Sequence, residues 1–140
     1  MGSVRWCCPG SGVLGTATLA GWRRRLACLD RAVGDGERVE QLRALEELKA
    51  AAAAAQAVVT ADLVASQRAQ QKAAGVPEKD LGKGIGAQVA LARRDSPHRG
   101  SRHGGLALAL AHEMPATMAA LRAGVISEWR ATWSPARPPA

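Results

Sequence analysis

The sequence predicts an all-α protein built around one long amphipathic helix. Two observations carry this prediction. Residues 37–74 contain neither Gly nor Pro, and 30 of the 140 residues are Ala while Phe and Tyr are absent. Alanine has the highest intrinsic helix propensity, and small side chains favour close packing of helices over a bulky aromatic interior. We therefore expect a single domain in which several short helices pack against the long one.

The long helix is predicted from its apolar spacing and from signals at its ends. Asp35 can cap the start, and Gly75 followed by Pro77 is a usual stop. At about 1.5 Å per residue such a helix reaches roughly 57 Å, which is more than a small domain covers. Apolar residues recur along it at steps of three and four, which is typical of one buried helix face: Val39, Leu42, Leu45, Leu48, Ala52, Ala55, Val59 and Leu63.

The rest of the domain is predicted as shorter helices interrupted by one polar loop. Proline suits a first helical turn, glycine the residue after a last turn, and serine the N-cap. In chain order these signals predict a helix over 86–94, a polar loop over 95–104, a helix that contains Leu106, Leu108 and Leu110, a helix over 116–123 between Pro115 and Gly124, and a helix over 128–133 capped by Ser127.

The two ends differ in composition from this helical domain, which we place at 36–133. Residues 1–35 are predicted to be a poorly ordered leader with a short helix around 17–33, and the Pro/Ala/Arg tail 134–140 is predicted to be disordered. No unbroken apolar run approaches the ~20 residues that cross a bilayer, so we expect no membrane span. Three cysteines near the N-terminus and no recognisable export signal favour the cytoplasm.

The charge indicates a polyanionic partner. The net charge is +7, and 15 of the 19 basic residues are Arg, whose guanidinium forks bind phosphate well. The densest basic stretch is 93–103, where backbone N–H groups and hydroxyls add to the arginines. The alternative is a solvated loop whose arginines pair with helix carboxylates. The candidates for contact with nucleic acid, for example DNA, are Arg93, Arg94, Arg99, Arg102, His98 and His103.

Other site chemistries find no support in the spacing of residues. His112 and Glu113 are adjacent, and no second histidine completes a His-Glu-x-x-His zinc motif. The glycines around Lys83 do not have P-loop spacing, since Pro77 stands where a glycine is required. We therefore predict no catalytic residue, no metal ligand and no cofactor in this chain.

Several segments together resemble a known family. They are Leu45–Lys49, Gln88–His103, Met114–Thr117, Ala120–Gly124 and Ser127–Ala131. In this order they closely resemble the domain of unknown function 222, which forms the N-terminal helical part of many actinobacterial HNH endonuclease proteins, including the mycobacterial repeat-family proteins. The resemblance covers residues 40–133. Gly104 departs from the pattern, since relatives place a bulky apolar residue there.

The resemblance implies a helical module that precedes a small zinc-binding nuclease domain. An HNH centre uses several histidines, often with Asn, to hold metal and activate water. This chain has no Asn, and its three histidines precede position 113. We expect a non-catalytic fragment, truncated by a frameshift or premature stop, that associates with nucleic acid. The alternatives are a helical module that self-associates or docks a partner along the long helix, or a truncated product without a function of its own.

Overall fold

Helices form most of the described chain. The computed structural model describes residues 13–133, and within them six α-helices and one 3-10 turn follow one another without a strand. The predicted all-α class, with one long helix and several short ones, is confirmed. Contacts divide the chain into two compact units, one that ends at Arg38 and one that begins at Val39. Of the leader predicted over 1–35, residues 1–12 lie outside the described residues, and residues 13–35 include a helix; the tail 134–140 also lies outside the described residues. The predicted disorder of both segments stays a prediction.

The first unit contains helix α1, Thr16–Leu26. This is the short helix expected around 17–33, and it ends earlier than predicted. Arg23, Arg24 and Arg25 occupy its last turn, where positive charge opposes the partial negative charge of the helix C-terminus. None of its residues is buried. The helix therefore contributes no core of its own.

Helix α2 spans Asp35–Ala73, close to the predicted bounds. Asp35 is its first residue and pairs with Arg38 at 2.6 Å, so it acts inside the first turn instead of capping it. At the other end Gly75 adopts a φ of 81°, and the amide of Val76 donates to the carbonyl of Gln71 at 3.0 Å. This is the left-handed helix stop that the Gly75 signal predicts.

The apolar stripe predicted for α2 is wrong as a description of its buried face. The buried residues of α2 are alanines: Ala50, Ala53, Ala54, Ala57 and Ala61. At about 100° per residue, Leu48 and Val59 lie about 160–180° around the helix from Ala57, and they are 43% and 66% exposed. Helices that approach closely need small side chains between their backbones, so alanine instead of leucine faces the core.

The middle of α2 is apolar enough to be compared with a membrane-spanning helix. One 18-residue window within Asp35–Ala73 has the length and mean hydropathy, 1.4, of a membrane span, and 33% of that window is buried. Core helices of folded proteins share this length and hydropathy. The expectation that no segment of this chain spans a membrane stays a prediction.

The second unit continues with the short helices. A 3-10 turn, Glu78–Asp80, leads into α3, Ile85–Arg93, and α4, Pro97–His112. Helix α5, Pro115–Arg122, and helix α6, Glu128–Trp133, complete it. Helices α3, α5 and α6 appear where the sequence predicts them, and Ser127 caps α6 by accepting a hydrogen bond from the amide of Arg130 at 3.3 Å.

The polar loop predicted over 95–104 is wrong, because α4 already begins at Pro97. The hydroxyl of Ser96 caps the helix by accepting from the amide of Arg99 at 3.4 Å, and Pro97 fits the first turn. Only Arg94–Ser96 separate α3 from α4. The predicted basic loop is therefore largely the first two turns of a helix.

Glycines let α3 and α4 cross with their backbones nearly in contact. A Cβ added to Gly100 would lie 2.5 Å from both the Cβ of Ala90 and the carbonyl oxygen of Gly86. A Cβ on Gly86 would lie 2.7 Å from the hydroxyl of Ser101. This close approach holds the polar first turns of α4 in helical form, although they lack an apolar period.

The core lies where α2 meets α4, α5 and α6. Four alanines of α2 pack there with Leu110 of α4 and Leu121 of α5, which are 2% and 0% exposed. Gly124, just after α5, has a φ of 74°, and a Cβ there would lie 2.8 Å from that of Glu47. The cluster contains Ala50, Ala53, Ala54, Ala57, Ala107, Leu110, Met118, Leu121 and Ala131.

Amide side chains join the last turns of α2 to the start of α3. Gln67 and Gln88 exchange two hydrogen bonds, of 2.7 and 3.1 Å. Gln71 accepts from the amide of Gly82 at 2.6 Å and donates to the carbonyl of Lys83 at 3.1 Å. The face of α2 that carries Gln67 and Gln71 thereby positions α3, and α3 in turn positions α4.

Candidate nucleic-acid interface

The six candidate residues begin at a tight corner between α3 and α4. Arg94 adopts φ 56° and ψ 44°, the left-handed conformation that favours glycine, and is the only residue other than glycine within 13–133 with a positive φ. Its amide donates to the carbonyl of Leu91 at 3.2 Å, and the amide of Asp95 donates to that of Ala90 at 2.8 Å. The corner turns the chain directly into α4.

Arg93 points into the protein. Its Nη1 donates to Oε1 of Gln56 on α2, and its Nη2 donates to Oε1 of Glu128 on α6, both at 3.0 Å. Its side chain is only 19% exposed. The guanidinium therefore joins α3 to two other helices.

The carboxylate of Asp95 lies close to two further candidate residues, Arg99 and His103. Its Oδ1 lies 3.4 Å from Nε of Arg99, and its Oδ2 lies 3.4 Å from Nε2 of His103. Nδ1 of His103 lies 3.7 Å from Oε1 of Glu128, so this imidazole stands between two carboxylates. Arg99 stays 67% exposed in spite of its partner, whereas His103 is 21% exposed. The alternative of arginines paired with carboxylates thus describes Arg93 fully and Arg99 in part.

The other three candidates reach solvent. Arg94, His98 and Arg102 are exposed, and within residues 13–133 none of them makes an ion pair or a side-chain hydrogen bond. His98 and Arg102 are four residues apart on α4, so they share one face of that helix. This face is available to a ligand.

Helices α4 and α6 enclose an open groove of about 370 Å³. From α4 it is lined by Arg99, Arg102, His103 and Leu106, whose steps of three and four place them on one side of the helix. From α6 it is lined by Glu128, Trp129 and Thr132. Three of the six predicted residues therefore meet in one concave site, and Arg94 and His98 do not line it.

Sequence reasoning missed the α6 wall of this groove. Trp129 is 69% exposed and stands edge to face with Trp133, with ring centroids 5.7 Å apart and planes at 62°. The segment 93–103 contains no aromatic residue. The only signal in the sequence is the placement of two tryptophans four residues apart on a short capped helix, which gives no indication that α4 lies beside them.

Metal binding and nuclease chemistry gain no geometric support. Among residues 13–133, no group of three or more His, Cys, Asp or Glu side chains could hold a metal ion. The expectation of no metal and no catalytic residue stays a prediction.

Comparison of the sequence and structure with protein-family models, with curated proteins and with solved structures finds no match. The resemblance to the helical domain of HNH endonuclease proteins therefore rests on the sequence motifs.

Proposed function

We propose that this chain is the non-catalytic N-terminal helical domain, as a fragment, of an HNH endonuclease-like protein. It associates with nucleic acid through the groove between α4 and α6. One observation carries the proposal. Two exposed arginines, Arg99 and Arg102, stand on one wall of a concave site whose other wall presents an exposed indole, that of Trp129. Guanidinium groups bind phosphates, and aromatic faces bind bases.

The charge of the groove supports this function. The carboxylate in its lining, that of Glu128, already accepts a hydrogen bond from Arg93, so it repels an incoming phosphate less than a free carboxylate does. Arg94 and His98 are exposed outside the groove lining, at the corner before α4 and in its first turn. The proposed contact residues do not include Arg93, because its guanidinium connects α3 to α2 and α6.

A salt titration tests the proposal. Arg99→Ala combined with Arg102→Ala should weaken binding to a fluorescein-labelled DNA and flatten the dependence of affinity on salt, by about 0.7 to 0.9 in slope for each phosphate that is no longer neutralised. Arg38→Ala combined with Arg43→Ala is the matched control, because it removes the same charge from exposed positions on α2. Equal effects of the two double variants would show that general charge and not the groove drives binding.

A second candidate function follows from the outer face of α2. Leu45, Leu48, Ala52, Ala55 and Val59 alternate at steps of three and four, the spacing of a coiled-coil seam, and they lie opposite the buried alanines. Such a seam fits the same seam of a second copy, with Ala52 and Ala55 allowing close approach. The chain would then be a dimerisation module.

Sedimentation equilibrium separates this candidate from a monomer. Val59→Glu should abolish association if the seam forms the dimer, whereas Leu91→Glu is the control at an exposed leucine of α3, outside the seam. A mass that stays monomeric at all concentrations contradicts the dimer.

A further inference from the structure

The groove presents an exposed tryptophan, Trp129, beside two exposed arginines, and its indole can bind a group other than a phosphate. Trp129 and Trp133 keep 69% and 71% of their surface in water, although large aromatic side chains gain most from burial. Trp129 lines the groove, whereas Trp133 packs against it from outside the lining. The T-shaped contact between them restrains the Trp129 ring without burying it.

The groove is large enough for one small ligand group. Its volume of about 370 Å³ falls near the lower end of the range for small-molecule sites, about 300–1,000 Å³. Leu106 contributes an apolar side chain to the lining, and Arg99 and Arg102 supply positive charge on the α4 wall. Apolar surface with adjacent cations suits a base whose phosphate lies next to it.

Duplex DNA uses both walls only where its bases are unstacked. Its bases are stacked inside the helix, so a duplex offers phosphates to Arg99 and Arg102 but no free base face to Trp129. A single strand offers both, and stacking on an aromatic ring accepts every base because each has a π-face. The groove is therefore complementary to unpaired nucleotides.

We propose that the groove is a binding site for single-stranded nucleic acid, in which one unpaired base stacks on Trp129 while neighbouring phosphates contact Arg99 and Arg102. This proposal rests on the proposed association with nucleic acid and names its substrate class. Two polar side chains of the α6 wall are already engaged, since Glu128 accepts from Arg93 and the Thr132 hydroxyl donates to the carbonyl of Trp129 at 2.6 Å. The indole of that wall offers stacking, which accepts every base, so we expect binding to tolerate different base sequences.

Affinity measurements on one strand and one duplex test the proposal. The probes are a labelled oligothymidylate of about 12 nucleotides, within the ~4–16 that a single-strand site covers, and a duplex of the same length. Trp129→Ala should weaken oligothymidylate binding by about 5- to 150-fold, the range for removal of one base–aromatic stack, and leave duplex affinity unchanged. Trp129→Phe should keep most of the affinity. Trp22→Ala, at a partly exposed tryptophan of α1, is the control.

Fluorescence gives an independent readout. In a variant with Trp6, Trp22 and Trp133 replaced by Phe, the single remaining indole is that of Trp129, and oligothymidylate should quench its emission by stacking on it. A variant that keeps only Trp22 should show no quenching.

The outcomes separate this proposal from the one on which it rests. Loss of single-strand affinity in Trp129→Ala, with quenching of Trp129, supports both. If the double arginine variant weakens binding but Trp129→Ala binds both probes as the unmodified chain does, the single-strand site is overturned and association with nucleic acid stands. If neither probe binds, or if neither substitution matters, both proposals fail.

Discussion

Arg93 donates to Glu128 at 3.0 Å across a gap of 35 positions in the sequence, and the same guanidinium reaches Gln56 on α2. An arginine from the most basic stretch of the chain thus connects helices α2, α3 and α6. The carboxylate that it holds also lines the groove. The fold and the candidate site therefore share this one ion pair.

Replacement of Arg93 by Ala should lower the free energy of unfolding by about 1–2 kcal/mol, because it removes two hydrogen bonds of a largely buried guanidinium and leaves Glu128 without that partner. Urea denaturation measures the change. Arg43→Ala, which breaks an exposed pair with Glu40, should cost no more than about 0.5 kcal/mol. Equal losses in the two variants would contradict the structural role of Arg93.

Gly100 and Gly105 lie in the same helix but should respond to Ala in opposite directions. A Cβ at Gly100 meets Ala90 and Gly86 at 2.5 Å, so Gly100→Ala should destabilise the protein by about 1–3 kcal/mol or more through overpacking. At Gly105 nothing lies within 4 Å of the added Cβ, so Gly105→Ala should stabilise by up to about 1 kcal/mol. Thermal denaturation of both variants measures the two changes in stability. A gain in stability for Gly100→Ala would show that α3 and α4 lie farther apart than the structure has them.

Arg94 carries backbone strain that glycine relieves. Arg94→Gly should raise the free energy of unfolding by about 0.5–1 kcal/mol, since its φ of 56° is costly for a residue with a Cβ. Arg94→Ala keeps the Cβ and should be nearly neutral, so the pair separates strain from charge. Chemical denaturation of both variants provides the measurement, and a loss of stability in Arg94→Gly would contradict the left-handed corner.

Two adjacent alanines test which face of α2 is buried. Ala54 is 0% exposed and Ala55 is exposed, so Ala54→Leu should destabilise by about 1–3 kcal/mol while Ala55→Leu should change stability by less than about 0.5 kcal/mol. Comparison of their urea midpoints gives the answer. The reverse order would place the core on the face with Leu48 and Val59.

The helices can be predicted from sequence because their signals are local. Gly75 and Gly124 adopt the left-handed stops that their positions indicate, and Ser127 caps α6. Ser96 and Pro97 carry an equally local start signal for α4, but the glycines and charges that follow are typical of a loop. What keeps those turns helical is the contact of Gly100 with α3, which no local pattern contains.

The buried face of α2 and the groove are not predictable from sequence for a related reason. Periodicity finds the larger apolar residues, such as Leu48 and Val59, but the close approach of short helices selects Ala54 and Ala57. The groove needs Trp129 beside Arg102, 27 positions away, and only tertiary packing brings them together. Charge indicates one wall of the site and carries no information about the other.

The alanine core also determines how the stability of this protein depends on temperature. Burying an alanine side chain costs essentially no rotamer entropy, so folding loses little side-chain conformational entropy at these positions. The same small side chains remove little apolar surface from water, which makes the heat-capacity change of unfolding small. A small heat-capacity change flattens the curve of unfolding free energy against temperature, so the helical fold loses little stability on cooling.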